Sequence, residues 1–289
     1  MRGPGFSPAG DASLWHSGTV ALPAGHLAYH RTGGSGPALV LSHGLTDNGL
    51  CWSRFASALA PDFDVVMIDA RGHGASARIT AGEHHHPAQD IARVIDTLGL
   101  TSPIVMGHSV GARATAEFAS SNPACASKVI LEDPPFLPLA SPAETAARSE
   151  KFRSHVADLQ SLSDAEIAAK GKALSPSWHA DEFPAWVAGK RQVDRAAMPD
   201  YATPWQDAVA RISVPTLLIY GESALGGIVT SAIADEAKRL NPLIKPVQIE
   251  GAGHNIRREN FDGFLVAIRA FLGDDRATMN NGEQTRGDT

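Results

Sequence analysis

An α/β fold, with a mostly parallel sheet covered by helices on both faces, is predicted by three features of the chain. Short, nearly continuous apolar runs such as residues 37–42 (PALVLS) and 64–69 (DVVMID) read as strands buried on both faces. Between such runs apolar residues recur at helical spacing, with Ile91, Val94, Ile95 and Leu98 as one set and Phe261, Phe264, Leu265, Ile268, Phe271 and Leu272 as another. The 289 residues suffice for one large domain, with or without an insertion, that buries roughly three quarters of its unfolded surface.

In chain order, residues 18–22 and 26–32 predict an opening antiparallel pair joined by the Pro23-Ala24-Gly25 turn. Six further strands are read at 37–42, 64–69, 103–106, 128–131, 215–220 and 245–249, which makes eight in all. The alternation stops between Pro134 and Arg211, where Pro-rich joints bracket helix-like pieces at 144–159 and a capping box at Ser163-Asp-Ala-Glu166. This predicts a core built from 1–135 and 208–272, a helical cap over 136–207 and a polar, aperiodic tail at 273–289 that is expected to be disordered. The inserted region carries seven of the eighteen aromatic residues. Phe136, Trp178, Trp186 and Trp205 are accordingly expected to line a substrate cleft, the alternative being that these rings form the cap's own small core.

Composition narrows the function classes. Hydrophobic residues make up 43% and charged residues 19%, and no apolar run approaches the roughly 20 residues that a bilayer span needs. Twenty-five basic against thirty-one acidic residues give a formal charge of −6 with no Lys/Arg block, so neither nucleic acid nor membrane is an expected partner. Cys51 and Cys125 have no metal-ligand spacing and form no disulfide framework. With a start that holds one Arg and no apolar stretch, a reducing, cytoplasmic location is expected.

The strongest chemical signal is Gly107-His108-Ser109-Val110-Gly111, directly after a predicted strand and opening an Ala-rich predicted helix. A serine hydroxyl is a poor nucleophile unless a sharp turn presents it, and glycines on either side remove the side chains that would collide. The helix that follows aims its positive end at developing negative charge. His108 reads as a packed elbow residue. His84-His85-His86 with Glu83 offers no i, i+4 ligand pair and reads as a solvated loop, so neither metal nor cofactor is expected.

With these residues in place the chain resembles the α/β-hydrolase superfamily from about residue 17 to 272. Ser42-His43-Gly44-Leu45 resembles the family's oxyanion turn, which implies the Leu45 and Val110 amides as oxyanion donors. Asp69-Ala-Arg-Gly-His-Gly-Ala-Ser76 is similar to the loop after the fourth strand, where Arg71 and the glycines are structural. Gly251-Ala-Gly-His254, between the last strand and the last helix, implies His254 as the base. The usual acid position after the seventh strand, in Tyr220-Gly221-Glu222-Ser223-Ala224, holds alanine. Asp133, twenty-four residues after Ser109, stands after the sixth strand instead. In that respect the chain resembles zearalenone-type lactonases and cofactor-free ring-cleaving dioxygenases, and Asp133 is implied as the acid, with Glu132 and Glu222 as substitutes.

The resemblance implies a serine hydrolase acting through an acyl-enzyme on an ester or lactone of an apolar, small-molecule substrate. A cofactor-independent dioxygenase of N-heteroaromatic rings, a carbon-carbon bond hydrolase and a non-catalytic ligand receptor are the other expectations.

Overall fold

The computed structural model describes residues 15–79, 86–199, 201 and 203–273. The expected tail from residue 274 onward, and His84 and His85, lie outside the described residues.

The chain opens with β1 (His16–Ala21) and β2 (His26–Arg31), an antiparallel pair, followed by β3 (Ala38–Ser42), α1 (Ser53–Leu59), β4 (Asp64–Ile68) and α2 (Pro87–Thr97). Next come β5 (Ile104–His108), α3 (Val110–Ser121) and β6 (Lys128–Glu132). Between β6 and the next strand run α4 (Pro142–Ser161), α5 (Asp164–Leu174), α6 (Glu182–Gln192) and α7 (Trp205–Ala210). The sheet resumes with β7 (Thr216–Tyr220), then α8 (Ser231–Leu240), β8 (Ile244–Gln248), α9 (Ile256–Glu259) and α10 (Phe261–Leu272). The eight strands form one sheet in the order β1-β2-β4-β3-β5-β6-β7-β8, parallel from β4 through β8. Among the described residues no helix is long and apolar enough to cross a membrane.

Strand periodicity divides the core into two layers. Leu39, Leu41, Val65, Met67, Met106 and Ile130 face one side, packed with Phe55 of α1 and Phe264 and Ile268 of α10. Val40, Val66, Val105, Val129 and Leu131 face the other, packed with Ile91 and Val94 of α2 and Phe118 of α3. Each such side chain, buried on folding, contributes about 1.5–3 kcal/mol.

The inserted helices start where the sequence places stop-and-start chemistry. Ser141 and Ser163 each close a capping box, with Glu144 and Glu166 reaching back to the cap backbone. The expected boundary at 207/208 falls inside α7, which packs on α3 and α8 and belongs with the sheet's helices.

Register decides where chemistry can occur. Ser42 of β3 pairs with Gly107 of β5, and His108 with Glu132 of β6. The strands therefore end level, and the residues just beyond them, from Gly44, Ser109 and Asp133, emerge side by side at the carboxyl edge of the sheet. That edge is where open α/β sheets bind ligands.

Candidate active site

Ser109 is the single residue between β5 and α3, with φ 54° and ψ −124°. A side chain rarely occupies this region, and holding it there costs on the order of 1–3 kcal/mol. The surrounding packing enforces it. A Cβ added to Gly111 would lie 2.5 Å from the carbonyl oxygens of both Ser42 and His43, so α3 can start directly beneath the turn after β3 only because residue 111 is glycine. Val110, as first residue of α3, has an N–H without an acceptor inside the helix.

The structure brings Ser109, His254 and Asp133 together. His254 Nε2 lies 3.1 Å from Ser109 Oγ, and His254 Nδ1 lies 2.6 Å from Asp133 Oδ2. Asp133 is fully buried. Its Oδ1 accepts the Val229 N–H at 2.9 Å and its Oδ2 the Ile228 N–H at 2.9 Å. A carboxylate so satisfied makes Nδ1 the protonated nitrogen and leaves Nε2 free to receive the serine proton.

Neither alternative carboxylate meets the imidazole. Glu132 is buried beneath it and accepts the Arg257 N–H at 3.0 Å and the Arg257 guanidinium at 3.1 Å, while burial pushes its carboxyl up against that pairing. Glu222 Oε1 accepts the Gly251 N–H at 2.6 Å. Alternation along β6 sets the contrast: Glu132 is the strand's last residue, and Asp133, at φ 42°, turns out of it toward His254.

Ser109 and His254 open into a cleft of about 330 Å³. Its walls include Leu45, Trp178 and Trp186, and its rim carries the exposed His155 and Lys170. Phe136 and Trp205 stand elsewhere, which corrects the expectation that they line it. They stack on each other at 4.6 Å and 9°, at 1% and 2% exposure, inside the core layer beside α3. Trp178, Phe183 and Trp186 touch one another, so these rings serve the packing among the helices between β6 and β7 while two of them also face the cleft.

A buried ionic cluster beside the cleft has no signature in the sequence. Asp47 accepts from Arg257 at 3.2 Å, Arg258 at 2.9 Å and Lys190 at 3.3 Å, and Arg258 also reaches Glu182 at 3.2 Å. Burial works against ionising Asp47, but the three cations outweigh it and hold the carboxyl well below its usual range. Three separate segments supply these residues, so no spacing links them. His108 Nε2 donates to the His254 carbonyl at 3.0 Å, and burial keeps the ring neutral by pushing its pKa well below the ordinary value.

A family described as the alpha/beta hydrolase family matches residues 39–265, most of the chain. The chain belongs to the alpha/beta hydrolase family. Within it, N-formylmaleamate deformylase of Pseudomonas putida is 28% identical over 265 residues, covering 88% of this chain and 96% of the relative. The 2-(acetamidomethylene)succinate hydrolase of Mesorhizobium japonicum is 27% identical over 256 residues, covering 84% and 90%. Among solved structures, an E-2-(acetamidomethylene)succinate hydrolase superposes with a TM-score of 0.74 at 24% identity, covering 90% of this chain and 99% of the other. The enol-lactonase of Burkholderia xenovorans superposes at 0.69 and 23% identity, covering 89% and 100%, a likeness of fold. Hydrolase activity is what this chain shares with its relatives.

Proposed function

We propose that the protein is a serine hydrolase that cleaves the acyl bond of a small, carboxylate-bearing substrate, an N-acyl amide ahead of the apolar ester or lactone expected from the sequence. The observation that carries this reading is the Ser109–His254–Asp133 hydrogen-bond line opening into a cleft with a cationic rim.

Ser109 Oγ attacks the acyl carbon as its proton passes to His254 Nε2. The Leu45 and Val110 amides receive the oxyanion, a contribution of roughly 3 kcal/mol per donor. The His254 imidazolium then protonates the departing nitrogen or oxygen, and water repeats the sequence to release the acid and regenerate Ser109. Asp133 holds the imidazole in place and stabilises the imidazolium.

The substrate class follows from the walls. With Phe136 and Trp205 withdrawn into the core, the aromatic lining is reduced to Trp178 and Trp186. Lys170 on the rim makes no ion pair among the described residues and offers an exposed charge to an anion. The names of both full-length relatives describe N-acyl compounds carrying carboxylates.

The test is a panel of N-formyl and N-acetyl derivatives of small unsaturated dicarboxylates, set beside p-nitrophenyl esters and aromatic lactones, with and without oxygen. The anionic amides are expected to give the highest kcat/KM and Ser109→Ala to abolish turnover. A preference for neutral esters or lactones overturns the substrate assignment. Turnover that survives Ser109→Ala, or that requires oxygen, overturns the acyl-enzyme.

A further inference from the structure

The turn after β3 is held by its carbonyls. The Gly44 carbonyl accepts the Asp47 N–H at 3.1 Å and the His43 Nδ1–H at 2.8 Å. Nδ1 is the protonated nitrogen of His43 because Nε2 accepts the Ala70 N–H at 3.0 Å. In a trans peptide the C=O and N–H point in opposite directions, so pinning the Gly44 carbonyl fixes the direction of the Leu45 N–H. The Leu45 carbonyl is bonded in turn by His73 Nε2 at 2.6 Å. The Thr46 carbonyl is bonded by Lys190 Nζ at 2.9 Å.

Lys190 is the one member of this set that comes from the inserted helices. Its ammonium also donates to Thr46 Oγ1 at 2.7 Å and lies 3.3 Å from Asp47 Oδ1. Three protons thus meet three acceptors, and at 4% exposure the group has no donor left for a substrate. The backbone of α6 comes equally close: a Cβ added to Gly189 would lie 2.9 Å from the Thr46 oxygen.

We propose that Lys190 is a positioning residue for the oxyanion turn, holding Thr46 and Asp47 from α6 so that the Leu45 amide stays aimed at the acyl oxygen. The helical insertion then contributes to transition-state stabilisation through the turn as well as covering the cleft. This inference rests on the reading of Ser109 as nucleophile and Leu45 as oxyanion donor.

A misaimed donor loses part of what a deleted one loses, and deletion costs about 100- to 1,000-fold in kcat. Lys190→Met is therefore expected to lower kcat about 10- to 100-fold, with KM within about threefold of wild type. Its affinity for an arylboronic acid, which forms a tetrahedral adduct on serine, should fall by a similar factor. Lys190→Arg should recover part of both losses. Gln192→Ala removes the other side-chain bond from α6 to this loop, to Asn48 at 2.8 Å, and should leave both quantities unchanged. Should Lys190→Met fail to fold, Thr46→Val, which deletes one of the three acceptors, is expected to show a smaller loss in kcat and boronate affinity. A raised KM with unchanged kcat, or an equal response to Gln192→Ala, overturns the assignment. Fluorophosphonate labelling separates this from the underlying reading. If wild type and Ser109→Ala are equally unlabelled, the nucleophile assignment falls and takes this inference with it; if only Ser109→Ala resists labelling and Lys190→Met labels at the wild-type rate, the positioning role alone falls.

Discussion

Asp133 lies 2.6 Å from the His254 imidazole while Glu132, its neighbour in sequence, is turned to the Arg257 guanidinium at 3.1 Å. Two adjacent carboxylates thus face two different partners: one an imidazole at the surface of the cleft, the other a permanently charged guanidinium in the core. Replacing the acid of Asp133 with its amide tests its role. Asp133→Asn is expected to lower kcat by about 10,000-fold, because it presents the wrong tautomer of His254 to Ser109. Ser109→Ala and His254→Ala should each cost at least ~1,000-fold, as members of a unit do. Glu222→Gln should be mild, since that side chain meets the Gly251 amide and not the imidazole. Steady-state kinetics on any turned-over ester or amide checks the series, and a severe Glu222→Gln would transfer the acid role.

The approach of α3 to the turn after β3 sets the second prediction. Gly111→Ala places a methyl 2.5 Å from two carbonyl oxygens that belong to the backbone and cannot rotate away. Overpacking of this kind typically costs about 1–3 kcal/mol. Thermal unfolding should show a lower midpoint, and residual activity in the folded fraction should also fall, because relief requires α3 and Ser109 to shift. An unchanged midpoint would show that the two segments are not locked together.

The fold and the strand-to-helix turn at Ser109 are legible for one reason: both are written in short windows. Apolar runs of five residues gave the parallel strands, and Gly107-His108-Ser109-Val110-Gly111 sits across a single strand-helix junction. Asp133 was readable only because its position relative to β6 could be compared with a family pattern. The direction of the aromatic rings between β6 and β7 is not readable, since Phe136 and Trp205 pack inward while Trp178 and Trp186 face the cleft. Which way a ring turns is set by tertiary packing that local composition does not encode. The Asp47 cluster was invisible for a related cause, its partners arriving from residues 182–190 and 257–258.

Acid sensitivity follows from the buried imidazoles. Burial, reinforced by His43, pushes the His73 pKa down to about 4 from 6.5, and burial lowers His43 as well. A histidine with a depressed folded pKa is protonated more readily in the unfolded chain, so its contribution is whole above about 6.5 and is lost as pH falls toward 4. For His73 the loss is on the order of 3 kcal/mol across that window. Asp47, held well below its usual range, adds a second loss beneath the ordinary carboxylate range. The melting temperature is expected to be flat from pH 7 to 8 and to fall from about 6.5 downward. His73→Gln, which keeps a donor for the Leu45 carbonyl, should flatten that fall. A wild-type midpoint unchanged between about pH 6.5 and 4.5 would mean these rings are not held neutral by the fold.

The rim charge gives the last prediction. Lys170 stands on α5 at the mouth of the cleft, exposed and without an ion pair among the described residues, whereas Lys190 and Arg258 deeper in are already neutralised by Asp47 and Glu182. Of the lysine and arginine side chains of the cleft among the described residues, Lys170 is therefore the one left for a substrate carboxylate. Exposed pairs are worth about 0.2–1 kcal/mol, so Lys170→Ala is expected to raise KM for an anionic substrate by up to about fivefold. The kcat should hold, because Lys170 belongs to the rim and not to the hydrogen-bond line from Ser109 to Asp133. The difference should shrink in about 1 M salt, where screening acts over roughly 3 Å. A neutral p-nitrophenyl ester should show no change in KM. If the neutral and anionic substrates respond alike, or salt leaves the effect intact, the lysine acts by shape rather than by charge and the preference for carboxylates must come from elsewhere in the cleft.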